Sequence, residues 1–210
     1  MHNDFSILPK KILYWYDNNK RTLPWRTNGT LKQKEYYTLI SEFMLQQTQV
    51  LTVIPYFNKF VKDIPNIVSL SKINDRKLLK YWEGLGYYSR VINLKKTAKI
   101  LVKKYKKKLP QNIIELKKLP GIGDYTAKAI LAIAFNKPFI PLDGNIERII
   151  KRIFNLKSEK ETNKENIERK KFFLGTSTRS NDYAQALMEL GALICKPKKP
   201  LCNKCPLTNI

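Results

Sequence analysis

The sequence predicts an all-α fold. Apolar residues recur at helical spacing along nearly the whole chain, and no convincing period-two alternation marks a strand. Tandem repeats and low-complexity tracts are absent as well. In 210 residues, 43% of them hydrophobic, there is enough apolar material for one packed domain or two small ones. Ile12, Leu13, Trp15 and Tyr16 share one face of a first helix, with Pro9 near its start. A loop from Lys20 to Thr30 follows and contains Leu23-Pro24-Trp25-Arg26. The next helix is expected from Gln33 to Leu51, with Tyr36, Leu39, Ile40, Phe43 and Met44 as its core stripe. Short helices fit residues 55–61, 66–71 and 75–82; Gly84 and Gly86 interrupt, and a long helix resumes to Lys106. The basic run Lys103 to Lys108 reads as a solvated helix end. Further helices are expected over 113–118, 125–134 and 146–154, then a loop and a surface helix over 157–171.

The charge balance points to a polyanion. Forty Lys and Arg against 17 Asp and Glu give a net charge of +23, which repels itself unless phosphates neutralise it. Codon bias offers a competing source: Lys outnumbers Arg 32 to 8, and Asn and Ile are abundant, as in an AT-rich genome. No run of 18 apolar residues exists, and residues 1–10 carry no signal-peptide apolar region, so no membrane association and a cytoplasmic, nucleoid-associated location are expected.

Leu119-Pro120-Gly121-Ile122-Gly123-Asp124 lies between two helical segments. Two glycines in three residues let the backbone turn without a Cβ clash, and the second helix then opens with N–H groups available to an anion. Leu119 and Ile122 would pack the hairpin's apolar centre. The string resembles the DNA-binding helix-hairpin-helix, so Gly121 and Gly123 are expected at a phosphate; a plain helix–turn–helix connection is the alternative. Asp143 follows 19 residues after Asp124 and opens Leu142-Asp143-Gly144-Asn145, where it reads as the N-cap of a helix. Glu42 stands between Ile40 and Phe43 in an apolar helix; by residue type alone, a helix Glu most often simply faces solvent.

Two longer strings carry a resemblance. Ser41-Glu42-Phe43-Met44-Leu45-Gln46-Gln47-Thr48-Gln49-Val50 looks very like the catalytic helix of MutY-type adenine DNA glycosylases, and Trp82-Glu83-Gly84-Leu85-Gly86-Tyr87-Tyr88-Ser89-Arg90 is similar to another signature of that family. The resemblance runs from Trp15 to Leu207 and includes the hairpin, Asp143 and the cysteine spacing. It implies a helix-hairpin-helix glycosylase fold of two helical lobes, residues 28–135 in one and 1–27 with 136–210 in the other, with Glu42 and Asp143 facing each other across a cleft. It implies a monomer acting on double-stranded DNA that contains a mispaired or damaged base. By that resemblance Glu42 protonates the departing adenine, Asp143 stabilises the cationic sugar or assists water, and Tyr125 and Asn145 order the site. Tyr87 would wedge into the base stack, Leu85 would be a further DNA-binding residue, Gln47 would fill space beside the orphaned base, and Arg21 and Arg26 would lie near the flipped adenine.

Chemistry supports that division of roles. Breaking an N-glycosidic bond requires a protonated leaving group and a stabilised cation, the problem glycoside hydrolases solve with two carboxyl groups in different environments. Tyr125 stands where bifunctional relatives resembling endonuclease III carry a lysine nucleophile, and Glu147 where some MutY proteins carry another, so a monofunctional enzyme is expected. A T·G or U·G mismatch glycosylase of the same fold, or a non-catalytic DNA-binding module, remains the alternative reading.

Cys195, Cys202 and Cys205 are the chain's three cysteines. Their spacing resembles the start of the family's four-cysteine [4Fe–4S] loop, whose fourth ligand would fall one position after Ile210; the sole histidine, His2, is far away in sequence. A longer natural chain, with a domain recognising 8-oxoguanine, is the corresponding expectation. The loop holds Pro197, Pro200 and several lysines and almost no core-forming side chains, so without a cluster it is expected to bury too little apolar surface to offset the entropy of ordering it.

Overall fold

A computed structural model describes residues 7–208, apart from the side chain of Phe173. The described residues are helical and contain no strand: α1 Leu8–Asn19, α2 Leu31–Leu45, α3 Val50–Asp63, α4 Ile67–Lys72, α5 Asp75–Lys80, α6 Ser89–Lys104, α7 Ile113–Lys117, α8 Asp124–Phe135, α9 Gly144–Ile153, α10 Lys164–Lys171 and α11 Ser180–Leu193. No helix among them is long and apolar enough to cross a membrane. His2 lies outside the described residues.

The chain divides into two compact units, Thr22–Phe135 and Met1–Arg21 with Asn136–Ile210. The boundary thus falls at Thr22 rather than at residue 28. Leu23 is buried, and the Trp25 ring meets Phe57 edge-on at 5.4 Å, so the Leu23–Arg26 stretch joins the core of the unit that follows it.

In Thr22–Phe135, α2 packs on α3, α6 and α8, α4 on α6, and α7 on α8. The expected stripe of α2 is buried throughout, and α8, which packs on α2, buries Ala127, Ala129 and Ala132. The asparagines that codon bias would explain have structural work: Asn66, Asn74 and Asn112 each accept backbone N–H groups as N-caps of α4, α5 and α7. Such caps stabilise by about 1 kcal/mol each.

The helix expected from Gln33 to Leu51 is in fact two. The break falls at residues 46–49, where Gln47 takes φ +55°. The Arg90 guanidinium occupies the carbonyls of Phe43, Met44 and Gln46, which would otherwise accept from the next turn. The short helix expected over 55–61 is the second half of α3, which runs through Pro55. Pro55 and Leu51, four residues before it, are exposed, so the carbonyl that loses its partner to the proline faces solvent.

In the other unit α11 packs on α1 and α9. Leu8, Ile12 and Tyr16 meet Ile146, Ile149, Tyr183 and Leu187 in one core. Helix α11 is the element that sequence periodicity did not single out, although it buries Tyr183, Ala184, Ala186, Leu187 and Leu190.

Candidate active site

Glu42 lies in the last turn of α2 and is 5% exposed, beside buried Ser41 and Phe43. A carboxyl group there is far from the solvated helix face on which glutamates usually sit. The hairpin packs directly against this helix. Gly121 has φ +81°, and a Cβ on it would lie 2.6 Å from the Phe43 ring, so glycine is required both by the backbone and by the neighbour. Gly123 is different: nothing lies within 4 Å of where its Cβ would be. That open space faces the first turn of α8, as a ligand site needs. Leu119 and Ile122 are buried as expected. The Thr97 hydroxyl donates to the Pro120 carbonyl at 2.8 Å, and Gln46 Nε2 donates to the Gly121 carbonyl at 3.3 Å.

At the hairpin mouth, Asp124 is paired with Lys128 at 2.7 Å and Lys117 at 3.3 Å. The Lys128 hydrogen bond, with Lys117 adding to it, holds the Asp124 carboxyl below its ordinary value. Tyr125 is half-buried in the first turn of α8, in the same unit as Glu42.

Gln47 and Tyr87 are exposed, and both have left-handed backbones, Tyr87 at φ +47°. Leu85, expected at the DNA surface with them, is 6% exposed: its side chain is a core residue, and the loop presents Tyr87 instead. Between the two loops lies Arg90, quoted in the signature but given no role by sequence reasoning. Its Nη1 donates to the carbonyls of Phe43 (3.2 Å), Met44 (2.8 Å) and Gln46 and to Thr48 Oγ1 (3.1 Å). Its Nη2 donates to the carbonyls of Leu85 (3.0 Å) and Gly86 (3.1 Å), and Nε to that of Tyr87 (3.4 Å).

In the other unit, Asp143 is the N-cap of α9. Its Oδ1 accepts from the Ile146 N–H at 2.8 Å and its Oδ2 from Asn145 Nδ2 at 3.0 Å. Burial nonetheless pushes the Asp143 carboxyl up; the Ile146 and Asn145 donors and the Arg148 charge only partly offset it. Arg148 was missed by sequence reasoning. It donates to Asn145 Oδ1 at 2.7 Å and to the Cys195 carbonyl at 2.7 Å, and so joins the Asp143 cap to the cysteine loop. Arg21 and Arg26 fall in different units. Arg21 makes a bidentate ion pair with Glu189, which is 1% exposed on α11, at 2.8 and 3.1 Å. The partner is invisible in the sequence because 168 residues separate the two.

The cysteine loop is better packed than its composition suggests. Leu201, Cys205 and Leu207 lie against the core of their unit, and Arg152 donates to the Lys196 and Pro197 carbonyls at 2.7 and 3.0 Å and to Cys195 Sγ at 3.3 Å. The thiols sense one another: burial raises the Cys205 pKa, and Cys195 and Cys202 add to the rise. Among the described residues, however, no three Cys, His, Asp or Glu side chains are arranged to hold a metal ion. Cys195, Cys202 and Cys205 are the three ligands that this chain would contribute to the [4Fe–4S] cluster that the resemblance implies.

A family model described as "HhH-GPD superfamily base excision DNA repair protein" matches residues 40–173. The chain is 44% identical over 202 residues to the adenine DNA glycosylase of Buchnera aphidicola subsp. Baizongia pistaciae, covering 96% of this chain and 56% of that protein. It is 36% identical over 208 residues to the Homo sapiens adenine DNA glycosylase, covering 95% of this chain and 38% of that one. The chain spans little more than half the length of the bacterial relatives it matches and less of the human one. Among solved structures, a thermostable thymine-DNA glycosylase aligns with a TM-score of 0.80 at 27% identity, over 96% of this chain and 92% of that chain. Endonuclease III, in a trapped DNA covalent intermediate, aligns at 0.77 and 20% identity over 99% and 94%. With helices on either side of the Leu119–Gly123 hairpin, Gly121 packed on Phe43 of α2 and a family match across most of the chain, this protein belongs to the HhH-GPD superfamily of base excision DNA repair proteins.

Proposed function

We propose that this chain is a monofunctional DNA glycosylase that hydrolyses the N-glycosidic bond of adenine mispaired with 8-oxoguanine or guanine in double-stranded DNA. The observation that carries the reading is the buried Glu42 carboxyl on α2, the helix whose Phe43 meets the hairpin at Gly121. The names of the relatives supply the base. In the reaction, the C–N bond breaks with its electron pair departing on the adenine, and Glu42 donates the proton that makes the base a better leaving group. The cationic sugar is stabilised by the Asp143 carboxylate, which then takes the proton of the water that adds to the sugar carbon. Burial raises the pKa of the Asp143 carboxyl, and the Ile146 and Asn145 donors and the Arg148 charge act against that rise in favour of the anion. Tyr125 occupies the position of the lyase nucleophile, so no covalent imine forms and the abasic strand stays intact. The enzyme works as a monomer in the cytoplasm, associated with the nucleoid. Its phosphate contacts give a log K against log salt slope of about 0.9 per contacted phosphate.

The likeness to a thymine-DNA glycosylase favours a second reading, removal of thymine or uracil opposite guanine. One abasic-site assay on A·8-oxoguanine, A·G, T·G and U·G duplexes separates them. Adenine release from the first two is expected; release confined to the T·G and U·G duplexes would replace the proposal with the alternative, and release from none would end both. Efficient borohydride trapping, lost on mutating a single lysine, would overturn the monofunctional assignment.

A further inference from the structure

Gln47 and Tyr87 share an unusual state. Both are exposed at loop tips, and both hold positive φ angles, +55° and +47°, that neither residue type favours. A positive φ is set by the orientation of the peptide plane that precedes the residue. Those planes are the 46–47 and 86–87 peptides, and the carbonyls of both, Gln46 and Gly86, are held by the two terminal nitrogens of Arg90. The guanidinium is planar, so gripping both planes at once fixes each φ and also the placement of one loop against the other. The arrangement is anchored further. Nη1 reaches Thr48 Oγ1 at 3.1 Å and Nε the Tyr87 carbonyl at 3.4 Å, while the cation lies 5.4 Å from the Trp82 ring and 5.5 Å from the Tyr87 ring. Arg90 is itself 6% exposed, so water does not compete for these carbonyls. A lysine could not replace it, because one ammonium nitrogen cannot hold two peptide planes in a fixed mutual geometry.

We infer that Arg90 is a positioning residue that locks Gln47 and Tyr87 into one preformed probe, so that the two side chains enter a base stack together rather than independently. The inference rests on the proposed function insofar as the probe acts on DNA; the coupling of the two loops does not depend on it. Preorganisation of this kind removes the ordering cost that two mobile loops would incur on binding.

The test has two arms. In the DNA-free protein, amide hydrogen exchange is followed at residues 46–48 and 85–88. Arg90→Lys is expected to raise exchange in both segments by roughly tenfold while the centres of α2 and α6 stay protected. Exchange rising in one segment alone would overturn the coupling. On DNA, the ratio of affinities for an A·8-oxoguanine duplex and a fully matched duplex is measured for Arg90→Lys, Tyr87→Ala and the double variant. Arg90→Lys is expected to lower the ratio as much as Tyr87→Ala, with binding to the matched duplex unchanged. The double variant should be no worse than either single one, because the two changes remove one device. Ratios that multiply would show two independent loops and sink the inference. If Gln47→Ala with Tyr87→Ala leaves the ratio unchanged, the DNA-reading role fails, and the exchange arm still decides whether the clamp exists. Should Arg90→Lys lose its cooperative melt, Thr48→Val takes its place, since it removes one acceptor and leaves the guanidinium. A smaller rise at both segments supports the clamp, and a rise confined to 46–48 refutes it.

Discussion

Glu42 in the last turn of α2 and Asp143 at the mouth of α9 are both carboxyl groups on helices, yet their surroundings oppose each other. Glu42 is buried where the backbone N–H groups of its helix are already spent on the i−4 carbonyls. Asp143 sits where a helix begins and N–H groups remain to be satisfied; it receives one from Ile146 and an amide from Asn145, and Arg148 adds a positive charge nearby. The difference shows that helix position, rather than residue type, decides which backbone donors a carboxyl group can reach.

Removing the proton from the buried member is expected to have the largest effect. Glu42→Gln should bind duplex DNA normally but lose adenine release by about 10²–10⁴-fold, because an amide cannot deliver a proton. Single-turnover kinetics on an A·8-oxoguanine duplex give the answer, and near-normal release would end the assignment. Asp143→Asn should slow release by about 10²–10³-fold through loss of the anion. Its stability tests the electrostatics separately. Burial raises the folded-state pKa of Asp143 above the unfolded value of 3.8, so its contribution favours the folded protein below that value and is lost as pH rises through the raised pKa. The Tm of the wild type relative to Asp143→Asn should therefore fall between acid and neutral pH. The opposite trend would mean that the N-cap donors outweigh desolvation.

Arg21→Met sharpens the same comparison away from the chemistry. It leaves Glu189 buried without its bidentate partner and should destabilise the protein by about 3 kcal/mol in urea unfolding, at the low end for a buried pair because Arg21 is one-third exposed. A change within experimental error would show that Glu189 is satisfied otherwise. The hairpin glycines give the smallest effect. Gly121→Ala should cost about 1–3 kcal/mol, since it forces a Cβ onto a left-handed backbone and towards the Phe43 ring. Gly123→Asp should leave thermal stability nearly unchanged while weakening DNA binding, because its side chain enters open space at the mouth of α8. Equal stability losses at the two positions would contradict a ligand-facing Gly123.

Local chemistry in the sequence specified the helices, the apolar stripe of α2, the hairpin with its buried Leu119 and Ile122, and Asp143 as the cap of α9. These depend on spacing and on neighbours a few residues away, which a single chain displays directly. Tertiary structure decided the rest. The break after α2 exists because Arg90, more than 40 residues downstream, takes the carbonyls that would have continued the helix. Arg21 is committed to Glu189 across 168 residues, Leu85 turned inward, and Leu201 and Leu207 gave the cysteine loop an apolar footing. In each case the deciding partner is distant in sequence. A long polar side chain finds carbonyls or a carboxylate only after folding has brought them together, and no periodicity records that meeting in advance.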